Sequence, residues 1–265
     1  MDRTARRIAT VAFLGLTAIV ISIPVAQGGM SSPLAAGRLG LQTALRFVSP
    51  EAPCPPGAPA DAGGCRARIG KGAFPGLGSV TQTYPWYYRL GSPTCPTAED
   101  GRPQPNIGRL VVVGKGEIQF ALAEGKRCVD LESLRNEPQD FTITSGTGAY
   151  QGASGSGTLD HNAAGGVGTD TWTGTLVVPG LEFDTTPPNL SGATSKTVRA
   201  AKGATRARVT YMVTGMDAKD GKVPTACAPR AGSQFRIGRT RVSCTATDSS
   251  ANTATASFTV TVRRR

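Results

Sequence analysis

Hydrophobic and polar positions alternate with a period of two along much of this chain. From Ser79 to Tyr84, Val80 and Tyr84 fall on one face, and Thr81 and Thr83 on the other. Glu117 to Leu122 sets Ile118, Phe120 and Leu122 against Glu117 and Gln119. Phe141 and Ile143 repeat the pattern. Thr171 to Val178 sets Trp172, Leu176 and Val178 against Thr171, Thr173 and Thr175. Leu110 to Val113 is a short, continuous apolar run rich in β-branched residues. Period-two alternation over such short stretches is the signature of half-buried strands. The one helical turn that the pattern suggests is DLESLRNE at 130–137.

Asp184-Thr-Thr-Pro187-Pro188 marks a boundary, because two successive prolines are excluded from a central strand and stiffen the entry to a new module. Beyond it the alternation continues. Val209, Tyr211 and Val213 oppose Arg208, Thr210 and Met212. Val242, Cys244 and Ala246 oppose Arg241, Ser243 and Thr245. Phe258, Val260 and Val262 oppose Ser257, Thr259 and Thr261. Short strands parted by Gly, Asp, Asn and Pro turns predict a two-sheet sandwich. The expected fold class is all-β: an N-terminal β-barrel or sandwich domain over 46–183, then a C-terminal β-sandwich over 184–265. Residues 27–45 are small and Gly/Ala-rich and read as a flexible linker.

Composition supports this division. The chain has 265 residues with 34 Gly and 19 Pro, a mix suited to turns. Residues 184–265 carry 14 Lys/Arg against 4 Asp/Glu, whereas 27–183 carry 12 against 13. The C-terminal module, at 14 − 4 = +10, therefore carries nearly all of the net charge of +11. Such a balance attracts polyanions, although it also serves solubility alone. No basic run is interleaved with aromatics in the manner of a single-strand nucleic-acid groove, so no nucleic-acid partner is expected. At the N-terminus, Arg3, Arg6 and Arg7 precede an uncharged, mostly apolar stretch from Ile8 to Val25, with Ala26 at its end. This reads as an export signal over 1–26, and membrane association is expected only if that signal stays uncleaved. The expected location is secreted or cell-surface.

Six cysteines fit an oxidising compartment. Cys54 and Cys65 bracket a Pro/Gly-rich loop and are expected to pair. Zinc is disfavoured, since the chain has no C-x-x-C and His161 is its one histidine.

The C-terminal residues carry a further pattern. DTTPPNL at 184–190, with MDAKDGKVPTACAPRAGSQFRIGRTRVSCTATDSSANTATASFTVTV at 216–262, resembles the HYR (hyalin repeat) domain. The matching positions include Asp217, Asp220, Gly221, Cys227, Pro229, Phe235, Gly238, Val242, Cys244, Asp248, Asn252 and Phe258. Ala251 stands where the family pattern has glycine, which bears on the local turn. The resemblance implies an immunoglobulin-like sandwich with extracellular adhesion and protein contacts, no catalytic residues, and a Cys227–Cys244 disulfide. Closing a loop of that size contributes roughly 3 kcal/mol on the chain-entropy account. By remainder, Cys95 pairs with Cys128. More weakly, FTITSGTGAYQGASGSGTL at 141–159 resembles the allene oxide cyclase and dirigent-type β-barrels, with Ser145 in place of a glycine. That likeness implies a small barrel with an apolar pocket, and gives the alternative function: small-ligand binding with chemistry of that kind.

The remaining motifs favour structural roles. Gly146, Gly148 and Gly152 lack the following helix of a nucleotide fingerprint and read as turn residues. Asp217, Asp220 and Asp248 read as turn formers rather than cation ligands. His161 with Asp160 lies among Asn, Ala and Gly and reads as an exposed loop, not part of a hydrolase triad. Tyr84, Trp86, Tyr87 and Tyr88 read as core, with part of the cluster at a rim because Pro85 interrupts a central strand. No catalytic, cofactor or metal residues are expected. Candidate polyanion contacts are Arg206, Arg208, Arg239, Arg241, Arg263, Arg264 and Arg265, since outward residues two apart on a strand share a face. The expected partner is an anionic cell-surface polymer or another extracellular protein.

Overall fold

The computed structural model describes residues 37–90, 98–101, 106–123, 127–129, 138–164 and 167–265. The export signal, the turn at 130–137 and Cys95 lie outside these residues, as does the side chain of Cys128.

The first part of the chain is an up-and-down meander. Its strands are β1 (Arg38–Val48), β2 (Glu51–Ala52), β3 (Gly64–Phe74), β4 (Gly78–Leu90), β5 (Ala98–Gly101), β6 (Ile107–Val112), β7 (Gly116–Leu122), β8 (Arg127–Val129), β9 (Gln139–Gly146), β10 (Ser154–Ala164) and β11 (Val167–Val177). Eight of them form a ring in the order β1-β3-β4-β6-β7-β9-β10-β11, each antiparallel to the next. The ring closes where β11 pairs with β1 over their full lengths, from Arg38 opposite Val177 to Val48 opposite Val167. Closure removes the unpaired edges that an open sheet would expose. Short β2, β5 and β8 extend this sheet outside the ring.

The linker expected over 27–45 is corrected here. Residues 38–45 belong to β1, and Leu39, Leu41 and Leu45 are buried while Arg38, Gly40 and Gln42 are exposed. Gly and Ala at the outward positions give the segment a linker-like composition, but the leucines keep strict alternation. Leu110 to Val113 also differs from a uniformly buried run. Leu110 and Val112 point inward, whereas Val111 and Val113 are 44% and 69% exposed.

Elsewhere alternation sets the barrel wall: mostly apolar residues inside, with Arg68, Gln82, His161 and Asp170 as buried polar exceptions, and mostly polar residues outside. This reverses the pattern of a membrane-spanning barrel. No helix among the described residues is long and apolar enough to cross a membrane. The interior is packed around Trp172, whose ring lies 4.6 Å from Phe141, 4.8 Å from Phe120 and 6.0 Å from Phe74. Glycine makes room for these rings. A Cβ on Gly174 would lie 3.0 Å from the Phe141 ring and 2.8 Å from the Gly157 backbone. Gly148 opens the 3₁₀ turn Gly148–Tyr150 with φ +61°, consistent with a turn role for this stretch.

Pro85 sits within β4 opposite Ala67. On its other side β4 pairs with β6 only up to Thr83, and with β5 only from Tyr87. The proline occupies the gap between those two ladders, where its missing N–H breaks no bond. Tyr84 and Tyr87 are buried, whereas Trp86 and Tyr88 are half-buried.

The second part contains β12 (Asn189–Ser191), β13 (Lys196–Arg199), β14 (Arg206–Arg208), β15 (Thr214–Asp217), β16 (Gly221–Val223), β17 (Thr225–Ala228), β18 (Gln234–Arg236), β19 (Gly238–Thr247) and β20 (Thr253–Arg263). They form sheets of order β12-β15-β16, β13-β20-β19-β17 and β14-β18. Val242, Cys244, Phe258, Val260 and Val262 from the four-stranded sheet pack against Val209, Tyr211 and Phe235. Residues 209–213 keep their alternation but run outside the ladders. Val209 instead exchanges irregular bonds with Gly232 and Ser233 as the chain leaves β14.

Candidate functional site

The barrel interior is apolar around Trp172 and strongly polar beside it. Arg68 projects from β3, Gln82 and Tyr84 from β4, His161 from β10 and Asp170 from β11, and all five are buried. Two cross-strand pairs supply four of them: His161 lies opposite Asp170, and Arg68 opposite Tyr84. Asp170 is the hub. Its carboxylate receives His161 Nδ1 at 2.6 Å, the Tyr84 hydroxyl at 3.0 Å, Arg68 Nη1 at 3.4 Å, and the Gln82 side-chain amide. Gln82 in turn accepts from the Trp172 indole N–H at 2.6 Å, joining this network to the aromatic core. The Arg68 guanidinium lies 4.1 Å from the Phe47 ring centre and within 5.6 Å of those of Tyr84 and Trp86.

His161 is thus no exposed loop residue. It retains 1% of its surface and faces the barrel interior. The polar neighbours Asp160 and Asn162 point outward, and they gave the segment its loop-like composition.

Burial alone would raise the Asp170 carboxyl. The hydrogen bond and charge of His161, the Arg68 charge and the Gln82 amide reverse this and hold it below the ordinary carboxylate value. Asp170 therefore stays ionised, with His161 Nδ1 facing it at 2.6 Å. A carboxylate, imidazole and phenol within hydrogen-bonding reach can share a proton. Here the carboxylate is answered from four sides, which suits an internal clamp between opposite walls.

In the second part, Cys227 lies directly opposite Cys244 and is bonded to it, and Cys54 is bonded to Cys65. The Cys95–Cys128 pairing falls outside the described residues. All seven candidate arginines are exposed. They do not form one stripe. Arg239, Arg241 and Arg263 lie on the outer face of the β13-β20-β19-β17 sheet, where Arg199 is the register partner of Arg263. Arg206 and Arg208 lie on the β14-β18 sheet, where Arg206 pairs with Arg236. These sheets bury their Val242/Phe258 and Phe235 faces in a common core, so the arginines look out in opposite directions. Arg199 and Arg236 were not among the candidates, although the parity of Phe235 and Val198 would have marked both as outward.

The turn residues divide. Asp220 accepts from the Ser249 N–H and hydroxyl and is engaged between two turns. Asp248 accepts from the N–H groups of Ser250 and Asn252. Between them Ala251 takes φ +64°, the left-handed region glycine favours. Phe235 in the core, the Cys227–Cys244 link and this Asp248–Asn252 turn together define the module.

Residues 183–262 match the family model of the HYR domain. The match to the HYR domain suggests an extracellular, adhesion-type module. No curated protein and no solved structure matches this chain.

Proposed function

We propose that this chain is an exported, secreted or cell-surface protein without catalytic activity. Its closed barrel serves as a rigid carrier, and its HYR module makes contact with an anionic surface polymer or another extracellular protein. The observation that carries this reading is the distribution of arginine on the module. Arg199, Arg239, Arg241 and Arg263 share one outer face, and Arg206, Arg208 and Arg236 share the other. Charges exposed in this way are free to meet phosphate, sulfate or carboxylate groups, and to do so with strong salt dependence, since screening acts within about 8 Å at physiological ionic strength. The packed ring cluster around Trp172 supports a carrier role for the barrel.

The test is retention of the full chain on immobilised dextran sulfate across a salt series. Two variants accompany it, one with Arg239, Arg241 and Arg263 changed to Gln, the other with Arg206, Arg208 and Arg236 changed to Gln. Earlier elution of one variant identifies the contact face. Equal elution of both variants and the parent at every salt concentration removes the polymer reading.

The polar clamp of Arg68, Tyr84, His161 and Asp170 favours a second reading, in which the barrel binds a small amphipathic ligand beside those groups. Saturable binding of a fluorescent apolar anion that is abolished by Arg68→Met would support it. Binding unchanged in that variant would count against it.

A further inference from the structure

Three carboxylates converge where the HYR module begins. Asp184 lies on the segment entering the module, Asp217 ends β15, and Asp248 opens the turn between β19 and β20. One oxygen from each lies within 4.8 Å of the other two. The residues retain only 8%, 7% and 7% of their surface. Among the described residues, no lysine or arginine forms an ion pair with any of them. Three negative charges held together away from water are costly unless something positive joins them.

Hydrogen bonds orient this cluster without neutralising it. Asp184 Oδ1 accepts from the Thr186 N–H at 3.1 Å. Asp248 Oδ1 takes the N–H groups of Ser250 and Asn252, and its Oδ2 takes the Asn252 side-chain amide at 2.8 Å. Asp217 Oδ1 accepts from the N–H groups of Lys219 at 2.7 Å and Asp220 at 2.9 Å. Its other oxygen is different. Asp217 Oδ2 is shut off from solvent and accepts no hydrogen bond among the described residues. A buried carboxylate oxygen left without a partner calls for an ion or an equivalent donor.

We propose that Asp184, Asp217 and Asp248 form a Ca²⁺ site at the entry to the HYR module. An all-oxygen, all-carboxylate set selects a hard cation over a thiolate- or imidazole-seeking metal. Calcium holds its oxygens at about 2.3–2.6 Å, so two ligands on one ion lie up to about 5 Å apart, which the 4.8 Å limit on this cluster meets. Three carboxylates leave positions for water in a shell of six to eight oxygens. The ion would tie the entry segment at Asp184 to two turns of the module. One of those turns also meets the barrel, since the Gly76 N–H donates to the Ser250 carbonyl at 2.8 Å.

The test uses the full, oxidised chain stripped with EDTA and titrated with CaCl₂ alone, by calorimetry and thermal unfolding. One ion should bind per chain, with a Kd on the order of 10⁻⁴–10⁻³ M as in extracellular modules. At a hundredfold excess over Kd, the Tm should rise by about 5–10 °C and fall back on adding EDTA. Asp217→Asn keeps the turn acceptor and should weaken binding at least tenfold. Asp184→Asn leaves that turn untouched and should do the same. Absence of both binding heat and a Tm rise in the parent protein up to 10 mM CaCl₂ would overturn the proposal. Parent-like affinity in both variants, or an equal response to MgCl₂, would do so as well.

Discussion

Replacing Asp170 by Asn tests whether the barrel depends on its internal charge pair. The change preserves size and removes one charge from a network in which the Asp170 side chain is fully buried and that of Arg68 is 6% exposed. Two effects compete. Losing ordinary hydrogen bonds in a buried network costs about 1–3 kcal/mol. Breaking the buried Arg68–Asp170 ion pair by neutralising one partner costs about 3–5 kcal/mol. The second effect dominates, so Asp170→Asn should destabilise the chain by about 3–5 kcal/mol and lower the Tm by roughly 6–20 °C. Arg68→Met should cost less, since Asp170 keeps His161, Tyr84 and Gln82. The double variant should be less damaged than the sum of the two, by about 2 kcal/mol, because both changes break the same buried pair. Urea unfolding followed by Trp172 fluorescence in a Trp86→Phe background reads the barrel directly. The pH dependence has a definite sign. A carboxyl whose folded pKa is depressed contributes stability above its unfolded value, near 3.9, and loses that contribution as pH falls through the folded value. The gap between parent and Asp170→Asn should therefore narrow below about pH 4. A cost under about 1 kcal/mol for Asp170→Asn, or strict additivity in the double variant, would refute the reasoning.

Two further substitutions probe the backbone. Ala251→Gly should stabilise the chain by about 1 kcal/mol, since φ +64° burdens a residue with a Cβ, and a higher urea midpoint at unchanged slope is the expected readout. Gly174→Ala should destabilise it by about 1–3 kcal/mol, because the added methyl would lie 2.4 Å from the Ser156 carbonyl oxygen and against the Gly157 backbone and the Phe141 ring; a Tm within 1 °C of the parent would show that the wall yields freely.

Much of this architecture was legible in the alternation itself. The inward sets at Val80 and Tyr84, at Ile118, Phe120 and Leu122, and at Trp172, Leu176 and Val178 are all buried. The same parity also held the polar site. Gln82 lies between Val80 and Tyr84, Asp170 lies two before Trp172, and His161 two after Leu159, so each occupies an inward position. Polar residues at such positions read as loop composition when weighed one by one, and His161 beside Asp160 and Asn162 shows how that misleads. Which of them meet was beyond local reading. Asp170 reaches Gln82 and Arg68 across 88 and 102 residues of chain, and only closure of β11 on β1 brings their strands around a common interior. Strand β1 was obscured for the opposite reason, since Gly and Ala at its outward positions masked the leucines between them.

The two buried acidic sites differ in what each brings to burial. Asp170 is buried together with a guanidinium, an imidazole, a phenol and an amide, all from the barrel's own strands, so its charge is balanced when the barrel closes. Among the described residues, the hydrogen bonds to Asp184, Asp217 and Asp248 come from backbone N–H groups and one Asn amide, which orient carboxylates without an ion pair. Removing a carboxylate should therefore act in opposite senses at the two sites. At the barrel clamp it breaks a buried ion pair and destabilises with or without CaCl₂. At the module entry it relieves repulsion, so Asp217→Asn should raise the Tm in EDTA while abolishing the rise with Ca²⁺. Thermal unfolding of both variants, with and without CaCl₂, separates a charge the fold already answers from one that awaits an ion. A drop in the EDTA Tm for Asp217→Asn as large as that for Asp170→Asn would show that the acidic cluster is balanced within the chain after all.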